Sequence, residues 1–463
     1  MNLINLKNIL TLLLAASRKI IYSSLVALVL SFSSYALQIV DSEIQDVLKK
    51  LVDPILKASG TNPEEVTIYV IADKSINAFV ANGRKIFIST ELIARFNDPD
   101  ILKGVVAHEL GHIAGGHLVR RDEKIREIQN QSMLATGLLG ALSAISGNPA
   151  AIMGSLMGPS HIFYKEFLSY SRTQEAAADQ AAVRFLHGSN NSVKGLMKLL
   201  NYFDIMERRG YKETNPYSRT HPLSRSRLSS VKYSLDHESI GGGSTIYERE
   251  QYARIVAKLR GFLKNVEIPK EGESSFSDLD RFSQKYRDVV YLYSMHKTEE
   301  SMRLLEDLIK LEPNNGYLYE MKAQILFRSG DFKKSLESYR VAVSYIDNPI
   351  LKAEYAVSLA HYVEYVEGEY EKKKILEEVV ILLESVLLQN IKNPYIYRVL
   401  GTAYGKLGDL GYANLMLAEE AFMSDKIADA EQFIRNAKRN SGKRTRLNLR
   451  IDDIMKQIKN LKS

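Results

Sequence analysis

The sequence contains neither cysteine nor tryptophan, and only 11 of its 463 residues are proline. Without cysteine the chain can have no disulfide framework, no cysteine nucleophile and no thiolate metal ligand. Any transition-metal site must therefore be built from His, Asp or Glu. The composition, 45% hydrophobic and 25% charged, is that of a globular protein and excludes a disordered chain and a polytopic membrane protein. The length allows roughly two to four domains.

Acidic residues are absent from the first 36 residues, whose only charges are Lys7, Arg18 and Lys19. The apolar run 20–32 and the small residues of 33–36 complete the pattern of a secretory signal peptide over 1–36. An uncleaved signal anchor is the alternative, because residues 9–16 add a second apolar stretch. Both interpretations predict that the rest of the chain is exported.

The formal net charge of +7 is unevenly distributed along the chain. Residues 435–463 contain ten Lys and Arg against two Asp, whereas residues 37–434 carry a net charge of −4. We interpret residues 441–463 as a basic C-terminal helix, which either caps the preceding domain or contacts an anionic membrane. Because the chain is predicted to be exported, we expect no nucleic-acid partner.

Strand and turn patterns are confined to the first half of the chain. Residues 37–58 predict a helix, residues 67–72 a buried strand, and residues 77–88 a hairpin around Asn82-Gly83. The sequence Asp98-Pro99-Asp100 then predicts the start of a helix.

Residues 133–159 contain no charged side chain and are interrupted by glycine and proline. This insert is too broken for one spanning helix, and we predict two short apolar helices. They form either a buried lid or core hairpin, or a peripheral contact with a membrane.

From residue 278 onward the strand patterns disappear. Two segments, around 319–342 and 397–413, share the aromatic, small and glycine spacing of tetratricopeptide repeats. Their glycines, Gly330 and Gly408, are 78 residues apart, so we expect a lengthened hairpin between them around 364–374. We therefore predict a tetratricopeptide domain over 271–440, an architecture that provides a binding surface.

The segment 105–112 contains the motif His-Glu-x-x-His. On a helix, His108 and His112 lie one turn apart on the same face, so both can reach a single Zn²⁺. Glu109 is then adjacent to the open metal position, where it can take a proton from the attacking water and pass it to the leaving amine.

A catalytic zinc site needs a third protein ligand. His117 is one residue short of the spacing His-Glu-x-x-His-x-x-Gly-x-x-His, and a continued helix would turn it roughly 140° away, so we interpret it as structural. Glu175 and Asp179 stand at i and i+4 in an alanine-rich helical segment. We predict that Glu175 is the ligand and that Asp179 accepts the Nδ1 hydrogen of a ligand histidine.

These motifs occur in the order of a known family. The segments 108–112 and 170–179, followed by Thr220-His221-Pro222 and Arg227, resemble the gluzincin metallopeptidase family that includes the CaaX prenyl protease and the heat-shock membrane protease. The resemblance implies a zincin-type α+β domain over 37–270, mostly helical with a small sheet, followed by an all-α tetratricopeptide superhelix. It also implies one Zn²⁺ ion bound by His108, His112 and Glu175, with Glu109 as the general base.

The resemblance also places the loop of His221 over the metal. There the imidazole could ligate zinc in a resting state and block the site, or stabilise the tetrahedral oxyanion when it swings aside. A turn-forming His-Pro pair is the alternative interpretation. Arg227 would anchor this loop or pair with an acid.

An exported member of this family with a repeat domain is expected to be a periplasmic zinc endopeptidase in outer-membrane protein quality control. Its repeats would bind unfolded or stalled outer-membrane proteins, or the machinery that assembles them. The sequence has no Gly-x-x-x-x-Gly-Lys-Ser/Thr loop, so we expect hydrolysis without ATP. A substrate chain would pair in extended form along residues 86–88. The alternatives are a repeat-based chaperone or adaptor with a mostly silent protease, and an integral membrane metalloprotease.

Overall fold

The structure is a computed structural model that describes residues 38–81, 84–117, 172–210, 217, 220–238, 242–263, 279–389, 391 and 393–462. The predictions for the signal peptide, the Asn82-Gly83 turn and the apolar insert 133–159 lie outside these residues. In the ranges just given, every helix is too short or too polar to cross a bilayer. The chain divides into two compact units, formed mainly by Ile44–Tyr291 and by Leu292–Ser463.

The first unit contains a four-stranded sheet of order β1-β2-β4-β3. Its strands are β1 (Gln38–Ile39), β2 (Thr67–Ile71), β3 (Ala78–Ala81) and β4 (Lys85–Ser89). β1 pairs antiparallel with β2, and therefore the helix predicted to start at residue 37 begins only at Ser42.

β4 pairs in parallel with β2 and antiparallel with β3, so that Ile86 lies between Ile68 and Val80. The prediction that a substrate chain pairs along residues 86–88 is therefore wrong, because both edges of β4 are already hydrogen-bonded to neighbouring strands. Among the described residues, β3 has a sheet partner on one side only.

Seven of the helices of the first unit, all but the last one named below, contribute side chains to the hydrophobic core that includes the sheet. The helices of this unit are α1 (Ser42–Ala58), α2 (Thr90–Arg95), α3 (Pro99–Ala114), α4 (Arg172–Gly188), α5 (Lys194–Arg208), α6 (Arg225–Asp236), α7 (Ile246–Phe262) and most of α8 (Arg281–Ser294).

Helix α3 is buried from Pro99 to His112. The carboxylate of Asp98 caps its N-terminus by accepting a hydrogen bond from the backbone N–H of Asp100. Two glycines let other helices approach it closely. A Cβ atom at Gly104 would lie 2.6 Å from the backbone nitrogen of Leu196, and one at Gly111 would lie 2.6 Å from the carbonyl oxygen of Ala178. α3 is therefore the central helix that α4 and α5 pack against.

The second unit is all helical among its described residues. Its helices are α9 (Thr298–Leu311), α10 (Gly316–Ser329), α11 (Phe332–Tyr345), α12 (Pro349–Tyr362), α13 (Glu369–Leu388), α14 (Pro394–Lys406), α15 (Leu410–Met423), α16 (Ile427–Arg439) and α17 (Thr445–Lys462). Gly330 and Gly408 both have left-handed backbone angles, with φ of +86° and +84°, where a first helix turns into its partner. Helix α13 has 20 residues, whereas α11 has 14. The helical hairpin α12–α13, which lies between the two glycine turns, is therefore longer than the hairpin α10–α11.

The C-terminal helix α17 packs an apolar stripe into the core of the second unit. Leu447, Ile451, Ile454 and Ile458 are all buried there. This packing supports the interpretation of the basic tail as a cap on the repeats. The predicted fold class, a mostly helical domain with a small sheet followed by an all-α unit, is confirmed.

Candidate metal centre

Helices α3 and α4 position the candidate site. His108 and His112 lie one turn apart on α3, and their ring centroids are 4.8 Å apart. Glu175 lies in the first turn of α4. Because the chain has glycine at 111, the backbone of Ala178 can approach α3 and bring Glu175 to the two histidines.

Four buried side chains converge at this point: His108, His112, Glu175 and His221. Nε2 of His108 lies 3.1 Å from Nε2 of His112 and 3.3 Å from both Oε2 of Glu175 and Nδ1 of His221. Oε1 of Glu175 lies 3.3 Å from Nε2 of His112 and 3.2 Å from Nδ1 of His221.

These separations fit a metal ion. Ligand atoms at 2.0–2.1 Å from a tetrahedral Zn²⁺ are about 3.3–3.4 Å from one another. Imidazole and carboxylate are ligands that zinc accepts. The donor set and its spacing can therefore hold a divalent transition metal.

The carboxylate of Glu109 lies beside this cluster. It is fully buried, and neither of its oxygens accepts a hydrogen bond within the described part of the chain. Its Oε1 lies 3.5 Å from Nε2 of His221. A buried carboxylate without hydrogen bonds is costly, so its position suggests a partner that the polypeptide does not supply.

Asp179 and Arg227 form a buried pair behind the donors. Oδ1 of Asp179 lies 2.9 Å from Nδ1 of His108. Arg227 donates to both oxygens of Asp179, at 2.6 and 2.9 Å, and a terminal guanidinium nitrogen lies 2.7 Å from Oε2 of Glu175. The same guanidinium donates to the carbonyl oxygen of Pro222, so Arg227 both pairs with acids and anchors the loop of His221.

Two further residues of the site were not found from the sequence. Nδ1 of His117 lies 2.9 Å from Nδ1 of His112, so the expectation that His117 points away is wrong. That expectation assumed a continued helix, whereas α3 ends at Ala114. The ring of Tyr217 stacks on His221 with centroids 4.6 Å apart, and its carbonyl oxygen accepts the backbone N–H of His221.

Burial and neighbouring charges shift the pKa values of these groups strongly. Burial alone would lower the pKa of His108, but hydrogen bonds to Asp179 and Glu175 raise it to about 10. Burial lowers the pKa of His112 to about 3, and burial raises the pKa of Glu109 above its ordinary value. Although burial opposes it, the neighbouring histidines hold the pKa of Glu175 well below its usual range. In the metal-free site, a proton on His108 therefore offsets part of the negative charge.

The fold and the site together define a metallopeptidase domain. Residues 39–235 match the family model of Peptidase family M48. The match confirms the family resemblance that the motifs indicate.

Curated relatives agree with this assignment. The chain is 22% identical to the beta-barrel assembly-enhancing protease of Yersinia pestis over 56% of this chain and 53% of that protein. It is 27% identical to Metalloprotease YcaL of Escherichia coli K12, over 40% of this chain and 68% of the relative. The matched part thus spans little more than half of the Yersinia protein.

Among solved structures, a thermophilic TPR protein of Thermus thermophilus is 17% identical, with a TM-score of 0.26. The comparison covers 38% of this chain and 98% of that protein.

Proposed function

We propose that this chain is a zinc-dependent endopeptidase. The observation that carries the proposal is the buried cluster of His108, His112, Glu175 and His221 donors beside the buried carboxylate of Glu109. Two His and one Glu as resident ligands leave one position for chemistry, as catalytic zinc sites do.

Each group of the site would have a separate role in peptide-bond hydrolysis. Bound Zn²⁺ would polarise the scissile carbonyl and make the attacking water more acidic. Glu109 would accept the proton of that water and deliver it to the leaving amide nitrogen, and the raised pKa caused by its burial suits this exchange. Asp179, held by Arg227, would accept the Nδ1 hydrogen of His108 and keep its Nε2 directed at the metal.

We propose that His221 is an autoinhibitory plug. Its Nδ1 lies among the donor atoms and its Nε2 lies toward Glu109, so it fills the position that water and substrate would need. Tyr217 stacks on its ring, and Arg227 holds the following proline. Displacement of this loop would open the site.

The substrate class is proposed from the relatives and the repeats. Because several relatives are named as beta-barrel assembly-enhancing proteases, we propose a role in outer-membrane protein assembly and quality control in the periplasm. The helical repeats would bind unfolded outer-membrane proteins or their assembly machinery. An extended substrate would add to the open edge of β3, and hydrolysis would need no ATP.

The variant Glu109→Gln tests this proposal. It should retain zinc but cut an unfolded β-barrel protein about 10²–10⁴-fold more slowly than wild type. Zinc content by elemental analysis and cleavage by gel electrophoresis are measured on the same full-length samples. Unchanged cleavage by Glu109→Gln, or a wild type without zinc, would refute the proposed enzyme. Full function in cells despite lost cleavage would favour a chaperone or adaptor.

A further inference from the structure

The second ring nitrogen of His112, Nδ1, lies 2.9 Å from a ring nitrogen of a neighbouring histidine. The Nε2 atom of His112 faces the donor cluster, 3.1 Å from Nε2 of His108 and 3.3 Å from Oε1 of Glu175. A neutral imidazole has one N–H and one lone pair. If Nε2 offers its lone pair to a metal ion, the hydrogen must reside on Nδ1 and needs an acceptor.

The atom in position to accept that hydrogen is Nδ1 of His117. The two Nδ1 atoms are 2.9 Å apart, the rings meet edge to face with centroids 5.1 Å apart, and His117 is only 4% exposed. The direction of this hydrogen bond is set by Nε2 of His112, whose lone pair faces the metal position. His112 donates, so Nδ1 of His117 accepts with its lone pair and the hydrogen of His117 resides on its Nε2.

The backbone after α3 is built to bring His117 to this place. Gly115 follows the helix, and a Cβ atom there would overlap the ring of His117, so the imidazole occupies the space of the missing side chain. Gly116 has φ of +61°, a left-handed conformation that turns the chain back toward α3. Two consecutive glycines therefore serve one contact.

The Nδ1 atoms of the two candidate ligand histidines have different hydrogen-bond partners. His108 meets the carboxylate of Asp179, which Arg227 holds in place. His112 meets an imidazole instead. Partners of this kind set the tautomer and ring orientation of a metal ligand, and their loss costs about 10–100-fold in metal affinity.

We propose that His117 is a positioning residue for the metal site, which accepts the Nδ1 hydrogen of His112 and thereby directs Nε2 of His112 at the ion. The inference rests on the proposed zinc site. It adds a residue that touches neither the metal nor the substrate.

The test compares two substitutions with a matched control in the full-length protein. His117→Phe keeps the ring but removes the acceptor, whereas His117→Asn places an amide oxygen near the position of Nδ1. His187→Phe is the control, because His187 lies on α4 of the same unit with a partly exposed side chain that is paired with Glu238. Zinc affinity is measured by chelator competition, and ligand geometry by the visible absorption of the Co²⁺-loaded protein.

We expect His117→Phe to weaken zinc binding about 10–100-fold and to change the Co²⁺ spectrum. His117→Asn and His187→Phe should retain the wild-type affinity and spectrum. The inference is overturned if His117→Phe binds zinc as wild type does, or if His117→Asn loses as much affinity as His117→Phe. It is also overturned if His117→Phe only lowers the unfolding midpoint of the metal-free protein.

Failure of the proposed function gives a different result. If the wild type binds zinc no better than Glu175→Ala, there is no zinc site, and both proposals fall. If the wild type binds zinc, Glu175→Ala loses it and His117→Phe does not, only the role of His117 is refuted.

Discussion

Arg227 donates hydrogen bonds to both carboxylate oxygens of Asp179, at 2.6 and 2.9 Å. The guanidinium is 1% exposed, and the Asp179 oxygen 2.9 Å from it lies equally close to Nδ1 of His108. A buried arginine thus holds the acid that orients a candidate metal ligand. Burial opposes the charged form of Asp179, but hydrogen bonds from His108 and Arg227 lower its pKa, so it stays an acceptor.

Removing this guanidinium should damage both the fold and the metal site. Arg227→Ala leaves Asp179 and Glu175 buried without their cationic partner, which should cost about 3–5 kcal/mol of unfolding free energy. Zinc affinity should fall about 10–100-fold, because the orientation of His108 is no longer fixed. The stability and zinc affinity of Arg227→Lys should lie between those of wild type and Arg227→Ala, since an ammonium group keeps the charge but cannot form the bidentate contact.

Urea unfolding and chelator competition measure these two effects. Arg249→Ala is the control, because the side chain of Arg249 is half exposed and its ion pair with Asp100 is long, at 3.5 Å. This substitution should change the free energy of unfolding by no more than about 0.5 kcal/mol. Wild-type zinc affinity in Arg227→Ala would contradict the role assigned to the pair.

Gly111→Ala should separate the two halves of the metal site. A Cβ atom at this position would lie 2.6 Å from the carbonyl oxygen and 2.8 Å from Cα of Ala178, so α3 and α4 must move apart. Such overpacking costs about 1–3 kcal/mol, and Glu175 moves away from the histidines. We expect a lower unfolding midpoint and loss of bound zinc.

Gly405→Ala provides the matched control for this substitution. It lies in helix α14, where the new Cβ would meet Cβ of Ala413 at an ordinary 3.8 Å. Because alanine favours helix over glycine, stability should stay equal or rise by up to about 1 kcal/mol. If both substitutions behave alike, close packing at Gly111 does not determine the site.

His221→Ala tests the plug. If the resting protein holds His221 among the donors most of the time, removing it should raise basal cleavage of an unfolded protein by roughly tenfold or more. Zinc should be retained by His108, His112 and Glu175. Steady-state cleavage and zinc content are measured together, with the exposed His237→Ala as control. A fall in cleavage would instead assign His221 to oxyanion stabilisation.

Zinc binding should release a proton at neutral pH. Without metal, the pKa of His108 is raised from 6.5 to about 10, so the ring is protonated and must lose its proton to ligate. Binding should release about one proton, and affinity should fall as pH is lowered. Calorimetry in buffers of different ionisation enthalpy measures this number, and a binding heat independent of buffer would contradict it.

The same shift has a defined effect on the metal-free protein. Because the folded-state pKa of His108 lies above the ordinary value of 6.5, its contribution to stability is full below pH 6.5. The contribution is lost as pH rises through about 10. Unfolding midpoints of chelator-treated protein across this range test the sign.

Much of the fold and of the donor set could be predicted from local patterns. The strand over 67–71, the hairpin strands and the start of α3 at Pro99 follow from apolar runs and capping residues. The His-Glu-x-x-His spacing needs only a helix to bring its two imidazoles together, which is why a motif of five residues indicates a metal site. The glycine turns of the repeats also follow from residue type, because the left-handed conformation favours glycine.

The partners of these elements were decided by tertiary structure. The position of β4 between β2 and β3 depends on a parallel pairing that no local pattern records, and among the described residues it makes β3, rather than β4, an edge strand. The contact of His117 with His112 depends on where α3 ends and how Gly115 and Gly116 turn the chain. Helix periodicity gives the direction of a side chain only within the helix, and His117 lies beyond the end of α3 at Ala114.

The sequence by itself determined which side chains can bind a metal, because ligand chemistry is a property of residue type and close spacing. With no cysteine, the chain has only histidine and carboxylate to offer. The family resemblance indicated that His221 and Arg227 belong near the metal, but only the tertiary structure decided their contacts, with Glu175 and Asp179, which lie 46 and 48 residues earlier in the chain. Contacts at such separations depend on how α4 and α6 pack around α3, and packing is a property of the whole folded unit.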